Sequence, residues 1–446
     1  MSLLRPHEQL LDDCQRYWSA SAAKLYRLGK TSVEQQTDGI HVTDHTGKRF
    51  IDCACSYGVF IVGHRNPMVR EQVQVQLNQM AWVPEGRRHP LQDKLTERLC
   101  QLVPGEWGDV QYMVSGAEAI EQSLRYALRI QPHRRRIVVM SGSYHGKTLA
   151  AMSILGQRQN HSSYGIAAPD VTHVPYGDFA ALQKAVGEGV CAVYVEPILG
   201  GAHLQMPPLG YMANLRALCD ATGTLLVADE IQTGFGRCGK WFAVQYDDVV
   251  PDIMILSKGL TGGYTSFACA MYSQRLATQY PLSEIEPDTR TNGGHPVACA
   301  SALAAIDYIE QNNLVEQSRI NGGLLRHGLQ RLALRYPRIV EDVPGVGLMT
   351  GLRLRGSVYE ALMSMELSKR GIHAGHSMNE KAKRPVLRFY PPLSISPDAL
   401  RHVLAMIEEA LEAIDRRPKL AVKAFSLVVR NMYQLPNKWL RSKEAS

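Results

Sequence analysis

The chain has 446 residues, 45% of them hydrophobic and 20% charged, which supplies apolar material for a large core and argues against disorder. Of the net charge of +7, most lies in the tail from Leu411, where eight basic residues face three acidic ones; the near-balanced remainder excludes a broad nucleic-acid-binding face. The start lacks the order of a signal peptide, no apolar run approaches a membrane span, and the nine cysteines are scattered without metal-ligand spacing, so a cytoplasmic protein with no metal site and no membrane partner is expected.

In chain order, the first recognisable pattern is the hairpin-like "GIHVTDHTGKRFIDC", and residues 1–75 are read as the N-terminal part of a small domain. Residues 76–310 are read as a large domain. There the β-type runs "DVQYMVSG", "RRIVVMSGSYHG", "CAVYVEPILG", "TLLVADE", "DIMILSKG" and "SFACAMYS" occur, with helical stretches such as "AEAIEQSLRYALRIQ" and "GYMANLRALCDATG" between several of them. This alternation predicts an α/β fold with a mostly parallel sheet. After Pro296 the pattern changes to long helices, then a helix over about 358–369 and the strand-like "PVLRFYPPLSIS". Residues 311–446 are assigned to the C-terminal part of the small α+β domain. Its basic tail could meet an acidic partner or a membrane surface, but packing on its own domain is the favoured reading.

In a parallel sheet, ligands bind beyond the carboxyl ends of the strands. Here the runs end in Ser115, Tyr144, Glu196, Asp229 and Lys258, so polar groups should collect on one rim. The run "TLLVADEIQTGFGR" raises a question, because a strand buried on both faces ends in the adjacent carboxylates Asp229 and Glu230. "GFGRCG" nearby matches the dinucleotide-binding glycine pattern, yet "EIQT" separates it from the strand and no clear helix follows, so a dinucleotide site is rejected.

An aldehyde cofactor with a pyridine ring and a phosphate needs a lysine for a Schiff base, an acid at the ring nitrogen, an aromatic face and a phosphate cradle. Lys258 before a glycine turn, Asp229 at a strand end, Tyr144, and Ser115, Gly116 and Ala117 at a helix start can meet those needs.

The segments "LVADEIQTGFGRCGKWFA", "ILSKGL", "SGAEA", "YHGKT", "VEPILGGAHLQMPPLGY", "TNGGHPVACASALA" and "LRFYPPL" occur in order between about Gly39 and Pro397. Together they resemble the class III, or ω-amino-acid, aminotransferases among the fold-type-I pyridoxal 5'-phosphate (PLP) enzymes. The resemblance implies Lys258 as the catalytic lysine, Asp229 at the pyridine nitrogen, Gln232 at the phenolic oxygen and Tyr144 stacked on the ring. It implies Ser115, Gly116 and Ala117 at the phosphate, joined by Thr291 from the other subunit of a homodimer with shared sites. Arg388 is the implied carboxylate-binding residue, with Tyr57 and Trp82 where the family places substrate-pocket aromatics. The implied reaction passes an amino group from an amine donor to a 2-oxo acid.

The chain departs from the pattern at Gly201, where many amino-acid-specific members carry a glutamate that neutralises the carboxylate-binding arginine. That departure favours a primary amine donor, a diamine or ω-amino compound. Aminomutases and decarboxylases share most of the cofactor residues and stay open as alternatives, as does a cofactor-binding scaffold without turnover.

Overall fold

The computed structural model describes residues 7–29, 33–84, 87–156, 170–201, 204–285, 293–377 and 384–430. The strands are β1 (Glu34–Asp38), β2 (His41–Asp44), β3 (Arg49–Cys53), β4 (Trp107–Met113), β5 (Arg136–Met140), β6 (Asp170–Val174), β7 (Val190–Val195), β8 (Leu225–Asp229), β9 (Ile253–Leu256), β10 (Ala268–Ser273), β11 (Val340–Asp342), β12 (Gly345–Val346), β13 (Met349–Leu354), β14 (Ile372–Ala374) and β15 (Val386–Phe389).

Seven of them form the central sheet in the order β4-β10-β9-β8-β7-β5-β6. All neighbours from β9 to β6 are parallel, and only β10 runs against its neighbours, so the fold is α/β with a mostly parallel sheet. The period-2 alternation of strand side chains explains why β8 is apolar without a break. Leu226 and Ala228 pack into the core on one face, while Leu225 and Val227 pack into the core on the other. Each such leucine or valine contributes about 1.5–3 kcal/mol on burial, so the strand has no solvent face on which a polar residue would be neutral. The edge strand β6 carries no clear apolar signature, and only its pairing with β5 identifies it.

Two four-stranded sheets flank this one. The hairpin β2–β3 joins β1 and, in parallel, β14, so N-terminal and C-terminal segments share a sheet. The other sheet combines β11, β12 and β13 with β15 paired to β13. Beyond the end of β15, Tyr390 N donates to the Cys53 carbonyl at 2.7 Å and Leu393 N to the Ile61 carbonyl at 2.9 Å. These bonds clamp Arg388, on β15, against the turn that carries Tyr57. Among the described residues, no helix is long and apolar enough to cross a membrane.

Candidate active site

Asp229 and Glu230 point to different places, which resolves the paradox of two carboxylates on one buried strand. Glu230 turns away from the rim, accepting from the Thr233 hydroxyl and from Val244 N at 2.7 Å, and so pins the loop that follows β8. Burial is the main cause that pushes its carboxyl up to about 7. A folded-state value above the unfolded value of 4.5 means that its contribution to stability is fully present below that pH and is lost as pH rises to about 7. Glu230→Gln keeps an acceptor for Val244 N–H and a donor for the Thr233 hydroxyl. Its melting temperature should therefore gain on the parent's between about pH 5 and about pH 8, by the equivalent of a few kcal/mol at most. A difference that stays flat across that range in calorimetric scans would contradict this account.

Asp229 faces the rim. One oxygen accepts from Ile231 N at 3.0 Å and the other meets His145 Nδ1 at 2.8 Å, with both side chains buried. A histidine placed this way donates from Nδ1, which fixes its tautomer. Its Nε2 is buried without a partner. Beside this pair, Glu196 follows β7 and accepts from Tyr144 N at 2.9 Å and Gly200 N at 3.0 Å. Burial first, and the neighbouring Asp229 charge second, push Glu196 up to about 7.

Lys258 opens the short helical turn Lys258–Thr261 directly after β9, at φ 48° in the left-handed region. Such backbone strain in a non-glycine residue persists only where the surroundings hold it. The residue is half-buried, and loss of solvation pulls its pKa below the ordinary 10.5; Asp229 and Glu196 oppose the shift and Arg388 adds to it. The result is an amine that gives up its proton more easily than a surface lysine.

Ser115 caps the helix Gly116–Ile130, its hydroxyl accepting from Glu118 N at 3.3 Å. The first N–H groups of a helix lack intrahelical acceptors, so Gly116 and Ala117 present theirs to the rim together with the positive end of the helix dipole. A Cβ at Gly116 would lie 2.6 Å from Ile231 Cδ1, so the helix start packs closely on the side chain of the loop after β8, and a larger residue would have to push that methyl aside. Tyr144 is about half exposed, on the loop between β5 and the helix Leu149–Ser153. Gln232 donates to the Tyr57 carbonyl at 3.3 Å and leaves its Oε1 buried without a partner. A Cβ at Gly200 would fall 1.8 Å from that oxygen.

Tyr57 ends a turn in which Cys55, Ser56 and Tyr57 all have left-handed backbones, with φ of 49°, 44° and 57°. Asp52 holds the turn by accepting from Ala54 N at 2.9 Å and Cys55 N at 2.8 Å. Above the Tyr57 ring lies the Arg388 guanidinium, 4.4 Å from the ring centroid. Position 201 has no side chain to neutralise Arg388, but the Gly201 carbonyl accepts from Nη1, and the His376 carbonyl accepts from Nη2 at 2.6 Å. The arginine is thus pinned by backbone, a finding that the missing glutamate alone does not suggest. Its Nε is buried and unpartnered.

The structure therefore groups Lys258, Asp229, Gln232, Tyr57 and Arg388, with the Ser115–Ala117 helix start touching the same loop. Trp82 is placed elsewhere: it is about half exposed and stacks on His295 at 5.1 Å, at the start of the helix Pro296–Gln311. Thr291 lies outside the described residues. His145 and the clamp on Arg388 carry no expectation from the sequence, although "YHGKT" contains the histidine.

A family model for class III aminotransferases matches residues 28–411. The chain is 34% identical over 397 residues to a putrescine aminotransferase of Pectobacterium atrosepticum, an alignment covering 86% of this chain and 83% of that protein. Among solved structures, an aminotransferase of Bacillus anthracis superposes with a TM-score of 0.82 at 26% identity, covering 92% of this chain and all of the other. An ornithine aminotransferase of Toxoplasma gondii shares the fold, with a TM-score of 0.84 at 24% identity over 93% of this chain and 96% of that one. The mostly parallel sheet, the lysine and acid on its rim and the family match lead to one identification: the chain belongs to the class III aminotransferases and is a PLP-dependent enzyme.

Proposed function

We propose that this aminotransferase takes the amino group of a primary amine, a diamine or ω-amino compound, and passes it to a 2-oxo acid in two half-reactions at one site. The observation that carries the reading is the half-buried Lys258 amine set among Asp229, Glu196 and Arg388, three groups that each act on it. The donor class draws on Gly201, and on the Pectobacterium relative, whose substrate by name is a diamine.

The orphaned polar atoms support placing PLP here. His145 Nε2, Gln232 Oε1 and Ser143 Oγ are buried without partners, a cost that a bound polar group in this region would relieve. In this proposal Ser115, Gly116 and Ala117 hold the phosphate, with Thr291 of a second subunit, while Tyr144 covers the ring, Gln232 meets its phenolic oxygen and Asp229 its nitrogen. When bound, PLP supplies an electron sink for the pair left on the substrate carbon. Lys258 would take the proton from that carbon and hold it, a task suited to an amine with a lowered pKa. His145 holds Asp229 in a fixed orientation, and Arg388 holds the carboxylate of the 2-oxo acid over Tyr57. The working unit in this reading is a cytoplasmic homodimer with shared sites, which needs no nucleic acid or membrane. All nine cysteines are free thiols, in keeping with a reducing compartment.

The test is Arg388→Ala. Loss of a charge-assisted bidentate contact should cost the 2-oxo-acid half-reaction about 2–4 kcal/mol of transition-state binding and leave the amine half-reaction much less affected. Single-turnover absorbance of each half-reaction measures this. Equal damage to both halves, or a marked preference for a common α-amino acid unrelated to the acceptor, would refute the assignment.

A further inference from the structure

Arg388 is 6% exposed, and among the described residues its guanidinium forms no ion pair. A buried cation without a counter-charge is expensive, and two carbonyls with one aromatic face compensate only part of the lost hydration. The nearest answer comes from another element. Glu360, on the helix Ser357–Lys369, is also buried, and its carboxylate accepts from both the backbone N and the hydroxyl of Ser377, the latter at 2.7 Å. Ser377 follows His376, whose carbonyl receives both Arg388 Nη2 and the Tyr57 hydroxyl, the latter at 3.2 Å. Gly375 and Arg388 exchange backbone bonds of 2.9 and 2.6 Å. One buried acid thus anchors the turn that holds Arg388; burial raises its pKa, while the two bonds from Ser377 and, to a smaller extent, the Arg388 charge favour its ionised form.

We propose that Glu360 is the counter-charge and positioning residue of the Arg388 site, filling from a different helix the place that position 201 leaves without a carboxylate. Resting on the reading of Arg388 as the carboxylate-binding residue, this explains how one pocket alternates between substrates. Glu360 moderates the positive field enough that an amine with a cationic or apolar far end enters, while the pinned arginine keeps donors for a 2-oxo acid. Unlike a mobile salt bridge, the compensation stays in place in both half-reactions.

The test separates charge from position. Glu360→Gln retains an acceptor for Ser377 N–H and a donor toward the Ser377 hydroxyl, so it removes charge and little else. Calorimetry of the holoenzyme with succinate, an unreactive dicarboxylate, should show binding tighter by about three- to tenfold. The half-reaction with a diamine should slow by about the same factor. A purely structural role cannot produce opposite signs. Glu360→Ala, which also loses the clamp, should weaken both; if it fails to fold, Glu360→Gln alone decides. Arg388→Ala, run alongside, distinguishes the failures. If it leaves succinate binding intact, the reading of Arg388 falls and this proposal with it. If it abolishes binding while Glu360→Gln changes neither measurement, or weakens both alike, the role of Glu360 alone is overturned.

Discussion

Lys258→Ala should lower turnover by about 10⁴-fold or more while the protein folds and retains cofactor non-covalently. In the proposed reaction the lysine is both attachment point and proton carrier, and no other described lysine is assigned to the rim. Removing a partly desolvated amine relieves a solvation cost, so thermal stability should not fall steeply. Lys258→Arg sharpens the result: it keeps a positive charge in the cavity, but a guanidinium cannot deprotonate, so it should be as inactive as alanine. The parent's amine half-reaction should accelerate with pH and level off below the ordinary lysine range, because burial lowers the pKa. Near-parental transamination by either variant in a coupled assay would remove Lys258 from the mechanism.

Features written in one stretch of chain are legible before any coordinates. The uninterrupted apolar run of β8, ending in a carboxylate, specifies a two-faced strand and a polar rim, because only a parallel sheet covered on both sides stabilises that pattern. The position of Lys258 directly after β9 follows from the same logic. Contacts made across the fold are not legible. His145 and Asp229 are 84 residues apart, and the pairing depends on how the β5 loop folds over the end of β8. Position 201 shows the limit best: its residue type predicts the missing carboxylate, but a backbone carbonyl is common to every residue type, so the contact to Arg388 leaves no trace in sequence. Trp82 is a case of another kind. Its aromatic character fits a pocket wall or a stack on another ring, and only the approach of His295 selects the latter within this chain. The two carboxylates of "DE" differ in the same way, since the fold behind Glu230 supplies Thr233 and Val244 as its donors.

Asp229→Asn isolates one negative charge in the centre of the site. Asparagine has nearly the same shape, and its carbonyl oxygen can still accept from Ile231 N, now held at 3.0 Å. Its amide would face His145 Nδ1, which can turn from donor to acceptor if the imidazole proton moves to Nε2. That nitrogen is buried without a partner in the parent, so the tautomer change creates no new unsatisfied group on the Asp229 side. The fold should therefore survive. What is lost is the charge that, with Asp229 assigned to the ring nitrogen, keeps that nitrogen protonated. Both half-reactions share this requirement, so both should slow by a similar factor, on the order of 10²–10³-fold, as when a preorganised electrostatic contact is deleted. His145→Gln should cost less, since the carboxylate remains and only its orientation is loosened. Arg388→Ala gives the contrasting pattern, with one half-reaction damaged more than the other. Single-turnover rates for the two halves, with equilibrium dialysis for cofactor affinity and melting scans for folding, distinguish the variants. An Asp229→Asn enzyme that keeps rates within a few-fold of the parent would show that the rim carboxylate serves the fold rather than the reaction.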